Sequence, residues 1–214
     1  MKAALFDLDG TLINTEVRSL ALYELLFVNN RVAYDKALLR AFMGRRLRDV
    51  LGEMPALFPG RSVDDLIGEL FSYEDHAGLP EIVPVPGAAE LVGAVAEHGS
   101  PIAVVTSAMR WWAEKRLREV GVRDHVHAIV AAEDVEVGKP DPSGYLQGAR
   151  LLDAHPAECV AFEDSAAGVA AAKAAGMTCV AVATTHPHEE LTGADLIVTD
   201  LTAVTWPPGA GPDG

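Results

Sequence analysis

The sequence predicts an α/β fold, in which a doubly wound parallel β-sheet carries helices on both faces and is interrupted by an inserted helical subdomain. Two observations predict the sheet. Short apolar runs alternate with helical stretches, and glycines directly follow the helical patterns. A third observation predicts the insertion, because residues 14–86 contain no convincing strand.

Apolar runs that are rich in β-branched residues and bounded by turn residues are typical of strands buried on both faces. Such runs occur at residues 3–8, 102–106, 127–131, 159–162, 178–182 and 195–198. Helical stretches are predicted at residues 87–98, 110–120, 143–152 and 166–175. This repeated strand–helix–strand order implies parallel strands, and in such sheets the functional crevice lies beyond the carboxyl ends of the strands.

The insertion has helical apolar spacing in four places, at residues 16–28, 34–43, 47–54 and 63–73. Prolines at 80, 84 and 86 mark the returning linker. We therefore expect residues 1–13 and 87–206 to form the core and residues 14–86 to form the insertion. The tail at residues 207–214 is too poor in apolar residues to pack, and we expect it to be disordered.

Composition excludes several classes of protein. The chain has 214 residues, 50% of them hydrophobic, which argues against wholesale disorder. The net charge of −14 argues against a nucleic-acid partner. No apolar run approaches the ~20 residues that a membrane span needs, and the start does not read as a signal peptide. Cys159 and Cys179 lie in apolar runs, and we expect both to be reduced, buried thiols of a cytoplasmic protein. We also expect this protein to be a monomer or weak dimer.

Acidic residues lie at the carboxyl-terminal end of the first predicted strand. Asp7 and Asp9 are separated by one residue, and Gly10 permits the turn that would bring both to the crevice. Two acids in this arrangement suit a nucleophile that also binds metal and a general acid/base. The alternative is a pair of solvated loop acids. A calcium loop is disfavoured, because the following residues do not supply the further ligands that it needs.

Three further groups of candidate site residues lie at the ends of predicted strands or on a rigid loop. Thr106 and Ser107 close the second strand and could hold a phosphoryl oxygen, although helix capping is the alternative. Lys139 is held between turn residues and Pro140, where it could act as a point charge on a carboxylate or phosphate, or lie on the surface. Glu163 and Asp164 follow the predicted strand at 159–162 and suit a hard cation such as Mg²⁺, while Asp164 could also cap the next helix.

The order Asp-x-Asp, Thr, Lys, Glu-Asp resembles the haloacid dehalogenase superfamily over residues 3–200, and the insertion resembles the helical cap of that family. The resemblance implies a Rossmann-like core and a phosphoryl-transfer mechanism. Asp7 would attack phosphorus, and Asp9 would protonate the leaving group and then activate water. Thr106 and Lys139 would hold the phosphoryl group. The implied ligands of Mg²⁺ are Asp7, the main-chain carbonyl of Asp9, Asp164 and, directly or through water, Glu163.

The nearest resemblance within the family is to phosphatases of glycerol 3-phosphate and 2-deoxyglucose 6-phosphate, through residues 132–149 and 162–186. A small phosphate ester is therefore the expected substrate. The alternative is a β-phosphoglucomutase. The comparison with that branch of the family disfavours it, because Ser19 and Leu47 stand where its histidine and arginine would be expected.

Specificity is expected to depend on the insertion. Its arginines at 40, 45, 46 and 48 form a basic island. We expect one or two of them to hold the substrate, and Arg45 and Arg46 are the candidates. The alternative is a solvated helix face. At least one of Trp111 and Trp112 is expected in the core, with the other lining the crevice, and Tyr73, Glu74 and His76 are expected at the surface near a hinge.

Overall fold

The computed structural model describes residues 1–42, 45–74 and 76–208. Its strands are β1 (Ala3–Phe6), β2 (Ile13–Asn14), β3 (Val83–Pro84), β4 (Ile102–Val105), β5 (Ala128–Val130), β6 (Cys159–Glu163), β7 (Thr178–Val182) and β8 (Leu196–Val198). Its α-helices are α1 (Glu16–Asn29), α2 (Lys36–Arg40), α3 (Leu47–Glu53), α4 (Val63–Ser72), α5 (Ala88–Glu97), α6 (Arg110–Glu119), α7 (Ser143–Leu151) and α8 (Ala166–Ala174).

Six strands form one parallel sheet in the order β5-β4-β1-β6-β7-β8. From β1 the chain first adds β4 and β5 on one side and then β6, β7 and β8 on the other. The strand order therefore reverses at β1, and the carboxyl ends of β4, β1 and β6 meet at the position where such sheets bind ligands.

Both faces of the sheet are covered, which confirms the predicted doubly wound fold. Alternate side chains of β1 point to opposite faces, so Ala4 and Phe6 belong to one apolar cluster and Ala3 and Leu5 to another. The first cluster includes residues of α5 and α6, and the second includes residues of α7 and α8. This burial on both sides is the reason that the strands are continuous apolar runs.

Helices α1 to α4 pack around an apolar cluster of their own, which includes Leu26, Phe27 and Phe42. Helix α2 is shorter than the predicted 34–43 helix, because the side chain of Asp35 caps it by accepting a hydrogen bond from Leu38 N and the helix ends at Arg40. The last predicted position of that helix, Met43, lies outside the described residues.

The expectation of no strand between residues 14 and 86 was wrong, because the two linkers of the insertion pair with each other. Strands β2 and β3 are antiparallel, with Ile13 opposite Pro84 and Asn14 opposite Val83. Strands of two residues carry no periodic signal, and a proline is tolerated at a strand edge. The insertion therefore leaves and re-enters the core at one place.

The end of the described chain packs on the core. Trp206 lies beside Phe162 and donates a hydrogen bond from Nε1 to Ser100 Oγ at 3.1 Å. The predicted disordered tail begins one residue later, and its residues 209–214 lie outside the described part. Within the described ranges, the helices are too short or too polar to cross a membrane.

Two helical glycines give opposite predictions for one substitution. A Cβ on Gly168 would lie 1.9 Å from the Glu163 carboxylate, whereas a Cβ on Gly93 would meet nothing within 4 Å. We expect Gly168→Ala to lower the free energy of unfolding by about 1–3 kcal/mol through overpacking. Gly93→Ala, the matched control, should raise it by about 0.5–1 kcal/mol. Urea denaturation measures both, and a stabilised Gly168→Ala protein would contradict the close approach.

Candidate active site

The four groups that the sequence singles out come together at the carboxyl edge of the sheet. Asp7 follows β1, Thr106 follows β4, and Glu163 ends β6 with Asp164 after it. Lys139 reaches the same point from the loop between β5 and α7, since its Nζ contacts Asp7 and Glu163. The parallel arrangement brings these residues together although up to 157 positions separate Asp7 from Asp164 in the chain.

Lys139 is a buried lysine whose side chain is 7% exposed. Its Nζ donates hydrogen bonds to Asp7 Oδ1, to Glu163 Oε1 and, at 3.0 Å, to the carbonyl of Val105. Burial alone would lower the pKa of this amine, but the two carboxylates raise it above its ordinary value. The lysine is therefore held as a cation, and the alternative of a surface lysine is excluded.

Both oxygens of Glu163 are engaged by the protein. Oε1 accepts hydrogen bonds from Lys139 and from the hydroxyl of Tyr145, the latter at 2.7 Å. Oε2 accepts from Asp164 N and from Ser165 Oγ, each at 3.2 Å. Tyr145 was not predicted as a site residue, because it lies within an apolar helical pattern. Ser165, rather than Asp164, caps α8 by accepting from Gly168 N.

The acids form a compact cluster with carboxylate oxygens of Asp7, Glu163 and Asp164 within 4.8 Å of one another. Burial raises the pKa of Asp7 well above its ordinary value, and the neighbouring Glu163 and Asp164 add to the effect while Lys139 opposes it. Burial and Glu163 likewise raise the pKa of Asp164 to about 8. Three carboxyl groups share one lysine here, and such a group of hard oxygen donors is suited to a divalent cation, whose charge would favour their ionised forms.

The turn after β1 allows this crowding. Gly10 has a φ of +92°, and a Cβ there would lie 1.9 Å from Asp164 Oδ2, so only glycine fits. The hydroxyl of Thr184 donates to the carbonyl of Gly10, and the side chain of Thr185 hydrogen-bonds the Asp164 carboxylate. Neither threonine was predicted as a site residue, although both lie near the end of the stretch 162–186 that carries the resemblance to phosphatases.

Asp9 lies apart from the three-acid cluster and lines the cavity with its own partners. Its Oδ1 accepts a hydrogen bond from Trp112 Nε1 at 3.3 Å, and the side chain of Thr15 also hydrogen-bonds the carboxylate. Burial raises the pKa of Asp9, and these hydrogen bonds lower it in part. The alternative of two solvated loop acids is therefore excluded for both Asp7 and Asp9.

Thr106 and Ser107 line the same cavity, and neither caps a helix. Helix α6 begins at Arg110, and the residue before it is Met109. Thr106 is buried, and its Oγ1 accepts a hydrogen bond from Ala108 N at 3.0 Å. Both side chains therefore lie at the carboxyl end of β4 beside Asp7.

The cavity lies between the core and helices α1 to α4, and its volume is about 150 Å³. The acids Asp7, Asp9 and Asp164 lie at its core end. Its opposite walls are mostly apolar and aromatic, with a few polar groups, and comprise Ser19, Leu22, Tyr23, Phe42, Arg45, Leu47, Leu70, Phe71, Glu74 and Trp112. Such a lining suits a small organic group attached to a polar head.

The arginines of the basic island go to different places. Arg45 lines the cavity and pairs with Glu53 at 2.5 Å. Arg46 donates from Nη1 to the carbonyls of Val135 and Glu136, at 3.1 and 3.0 Å, on the loop that leads to Lys139. Arg48 pairs with Asp64 on the surface, and Arg40 is exposed. Substrate binding by Arg45 and Arg46 stays a prediction.

Two expectations about the cavity walls need correction or refinement. Glu74 was expected at the surface, but it is buried and pairs with Arg18 and Arg116, partners too distant in sequence for a local pattern to reveal. Trp112 is 8% exposed and both joins the core and lines the cavity. Trp111 is 42% exposed and packs against Phe71 at the edge of this wall.

Comparison with known proteins places this chain in a family. The model of the haloacid dehalogenase-like hydrolases matches residues 4–182, and the chain therefore belongs to that family. The sequence is 42% identical over 206 residues to validoxylamine A 7′-phosphate phosphatase from Streptomyces hygroscopicus subsp. limoneus, covering 96% of this chain and 97% of the relative. It is 33% identical to hexitol phosphatase A from Escherichia coli (strain K12), covering 95% and 93% of the two chains.

Among solved structures, β-phosphoglucomutase from Clostridium difficile superimposes with a TM-score of 0.82 at 23% identity, covering 96% of this chain and 94% of that chain. This likeness shows the shared fold, including the inserted helices. It does not distinguish a phosphatase from a mutase, because one fold carries several activities.

The buried cation gives a testable energetic prediction. We expect Lys139→Met to lower the free energy of unfolding in EDTA by about 3 kcal/mol or more, because it leaves buried carboxylates without their counter-ion. Lys173→Met is the matched control, since Lys173 pairs with Asp195 on the surface and its side chain is 38% exposed. That loss should stay below about 1 kcal/mol. Equal small losses in urea denaturation would show that Lys139 does not balance the cluster.

Proposed function

We propose that this protein is a Mg²⁺-dependent phosphatase that hydrolyses small sugar or polyol phosphates through an aspartyl-phosphate, acting in the cytoplasm as a monomer or weak dimer. As a haloacid dehalogenase-like hydrolase with phosphatases among its full-length relatives, the chain is a phosphoric monoester hydrolase. The observation that carries the finer proposal is the position of Asp7, which contacts Lys139, belongs to the three-acid cluster and opens onto the cavity that Asp9 lines.

The cluster fits Mg²⁺, since its donors are carboxylate oxygens and its three carboxyl groups outnumber the single Lys139. Asp7, Asp164 and the main-chain carbonyl of Asp9 would hold the ion, with Glu163 directly or through water. When bound, Mg²⁺ would neutralise charge on the phosphoryl oxygens and so allow an anionic carboxylate to approach an anionic ester.

The side chains of this protein divide the remaining work. A carboxylate oxygen of Asp7 forms a bond to phosphorus while the bond from phosphorus to the alcohol oxygen breaks, and Asp9 gives that oxygen a proton. Asp9 then takes a proton from a water molecule that attacks the aspartyl-phosphate, which releases phosphate and restores Asp7. Lys139, Thr106 and Ser107 hold the phosphoryl oxygens and offset their charge.

Residues 14–86 act in this proposal as a cap over the cavity, and residues 1–13 and 87–206 act as the catalytic core. The paired linkers β2 and β3 form the hinge. Closure would exclude bulk water while Asp7 is attacking and place the cap side chains on the leaving group.

The cavity supports a sugar-like or polyol leaving group with one phosphate. Its cap wall combines aromatic rings with Ser19, Tyr23 and Arg45, and Arg45 already has Glu53 as a partner. The relatives named for validoxylamine A 7′-phosphate and for hexitols support the same class. The overall charge of −14 is no obstacle, since Lys139 and a bound cation act locally on the phosphate.

A phosphosugar mutase is the second candidate, because a β-phosphoglucomutase shares the fold. The sequence places Ser19 and Leu47 where the resemblance to mutases would require a histidine and an arginine, and both residues line the cavity. Two neutral side chains on this wall favour hydrolysis over a reaction that must hold a second phosphate.

The first functional prediction concerns the nucleophile and the metal. Purified protein should release inorganic phosphate from at least one member of a panel of hexose, hexitol and glycerol phosphates in Mg²⁺, and EDTA should abolish the release. Asp7→Asn should lose at least about 10³-fold in kcat while its circular dichroism spectrum is unchanged. A fully active Asp7→Asn protein would remove Asp7 as the nucleophile.

The second functional prediction separates hydrolysis from isomerisation. With α- and β-glucose 1-phosphate and with each panel substrate that is turned over, ³¹P NMR should show no isomeric sugar phosphate, and inorganic phosphate should be the phosphorus product wherever turnover occurs. Addition of glucose 1,6-bisphosphate should not accelerate turnover. Accumulation of glucose 6-phosphate that depends on the bisphosphate would establish the mutase instead.

A further inference from the structure

We propose that Trp112 is a positioning residue for Asp9, and that a buried ion bridge from the cap holds Trp112 in place. The inference rests on the proposed function, since it concerns how Asp9 is presented to the leaving group. It assigns a role to four residues, Arg18, Glu74, Trp112 and Arg116, that the mechanism above does not use.

The first step is the contact between Trp112 and Asp9. Trp112 belongs to α6 of the core, and its indole Nε1 donates to Asp9 Oδ1 at 3.3 Å. The ring also lines the cavity beside Asp9. An indole N–H can only donate, and it does not exchange its proton with a carboxylate at ordinary pH. It therefore orients the carboxylate without competing for the proton that Asp9 transfers.

The second step is the contact between Trp112 and Arg116, one helical turn later. The guanidinium carbon of Arg116 lies 3.9 Å from the centroid of the Trp112 ring, which is a close cation–π contact. The side chain of Arg116 is only 6% exposed, so the guanidinium needs a buried anion. Its Nη1 reaches Glu119 at 2.6 Å on the same helix, and its Nη2 reaches Glu74 of the cap.

The third step is the carboxylate of Glu74, which joins cap and core. Glu74 follows α4, and its Oε1 accepts from Arg116 of the core and, at 3.0 Å, from Arg18 of α1 in the cap. Arg18 also donates to the carbonyls of Glu74 and Pro80. Among the described residues, the buried Nε atoms of both arginines have no hydrogen-bond partner, so each guanidinium depends on these terminal contacts.

These contacts couple the cap to Asp9. Movement of the cap away from the core would take Glu74 from Arg116 and leave a buried guanidinium without one of its anions. Arg116, which packs over the ring of Trp112, would then be held less firmly against it. The hydrogen bond that orients Asp9 is thus complete when the cavity is covered, so the proton donor is aligned when bulk water is excluded.

The test compares substrates whose leaving groups differ in their need for a proton. 4-Nitrophenolate leaves without protonation, whereas a sugar or polyol alkoxide does not. We expect Trp112→Phe to lower kcat/KM at least about tenfold for the fastest alkyl phosphate of the panel and less than about threefold for 4-nitrophenyl phosphate. Trp206→Phe is the matched control, because it also removes an indole N–H donor, which donates to Ser100 rather than Asp9 and lies away from the cavity lining, and it should change both values less than about twofold.

An equal loss on both esters, or no loss on either, would overturn the positioning role, since damage to packing does not select between leaving groups. If Trp112→Phe fails to fold by circular dichroism, Glu74→Gln takes its place. It retains the shape of Glu74, removes the charge, and should show the same selective loss. An unselective loss in Glu74→Gln overturns the coupling. If the wild-type protein hydrolyses neither ester, the proposed function fails, whereas wild-type turnover with an unchanged ratio in the variants refutes only this inference.

Discussion

The buried contact of Lys139 with Asp7 and Glu163 is the interaction on which the rest of the site depends. Carboxylates gathered in a buried crevice repel one another, and burial of their charge is costly unless a cation lies among them. Lys139 supplies that cation from a loop rather than from a strand, and its own charge is kept by the same acids. Tyr145, Ser165 and the backbone N–H of Asp164 also donate hydrogen bonds to Glu163, and of the three clustered acids Asp7 and Asp164 are the two that line the cavity.

The site residues at the ends of strands could be predicted from the sequence. The contribution of residues whose hydrogen-bond partners lie on other helices or strands could not. Asp7, Thr106 and Asp164 each follow an apolar run, and parallel strands bring such positions to one edge. Nothing near Glu74 or Tyr145 in the chain indicates their hydrogen-bond partners, because Arg116 and Glu163 are supplied by other elements. The short β2–β3 pair was missed for a related reason, since it consists of pairing between linkers and has no periodic pattern of its own.

The basic island shows why local charge patterns have limited predictive value. Four arginines lie within nine positions of one another, yet their partners differ. Arg45 pairs with Glu53, and Arg48 pairs with Asp64. Arg46 donates hydrogen bonds to main-chain carbonyls of the loop that leads to Lys139. Only three-dimensional packing decides which guanidinium faces the cavity. The positive charge that this segment presents to the cavity thus depends as much on where its acids lie as on where its arginines lie.

The pairing of β2 with β3 also gives the insertion closed ends. Ile13 lies opposite Pro84, and Val85 N donates to the carbonyl of Leu12 at 3.0 Å. The two points at which the chain leaves and re-enters the core are therefore neighbours in space. The hydrogen bonds between the linkers hold these points together, and the helices of the insertion take no part in that pairing. The insertion is therefore attached to the core through one pair of adjacent strands, β2 and β3. Its length and helices can vary while the spacing of the core strands, and hence the geometry of the acids, stays the same.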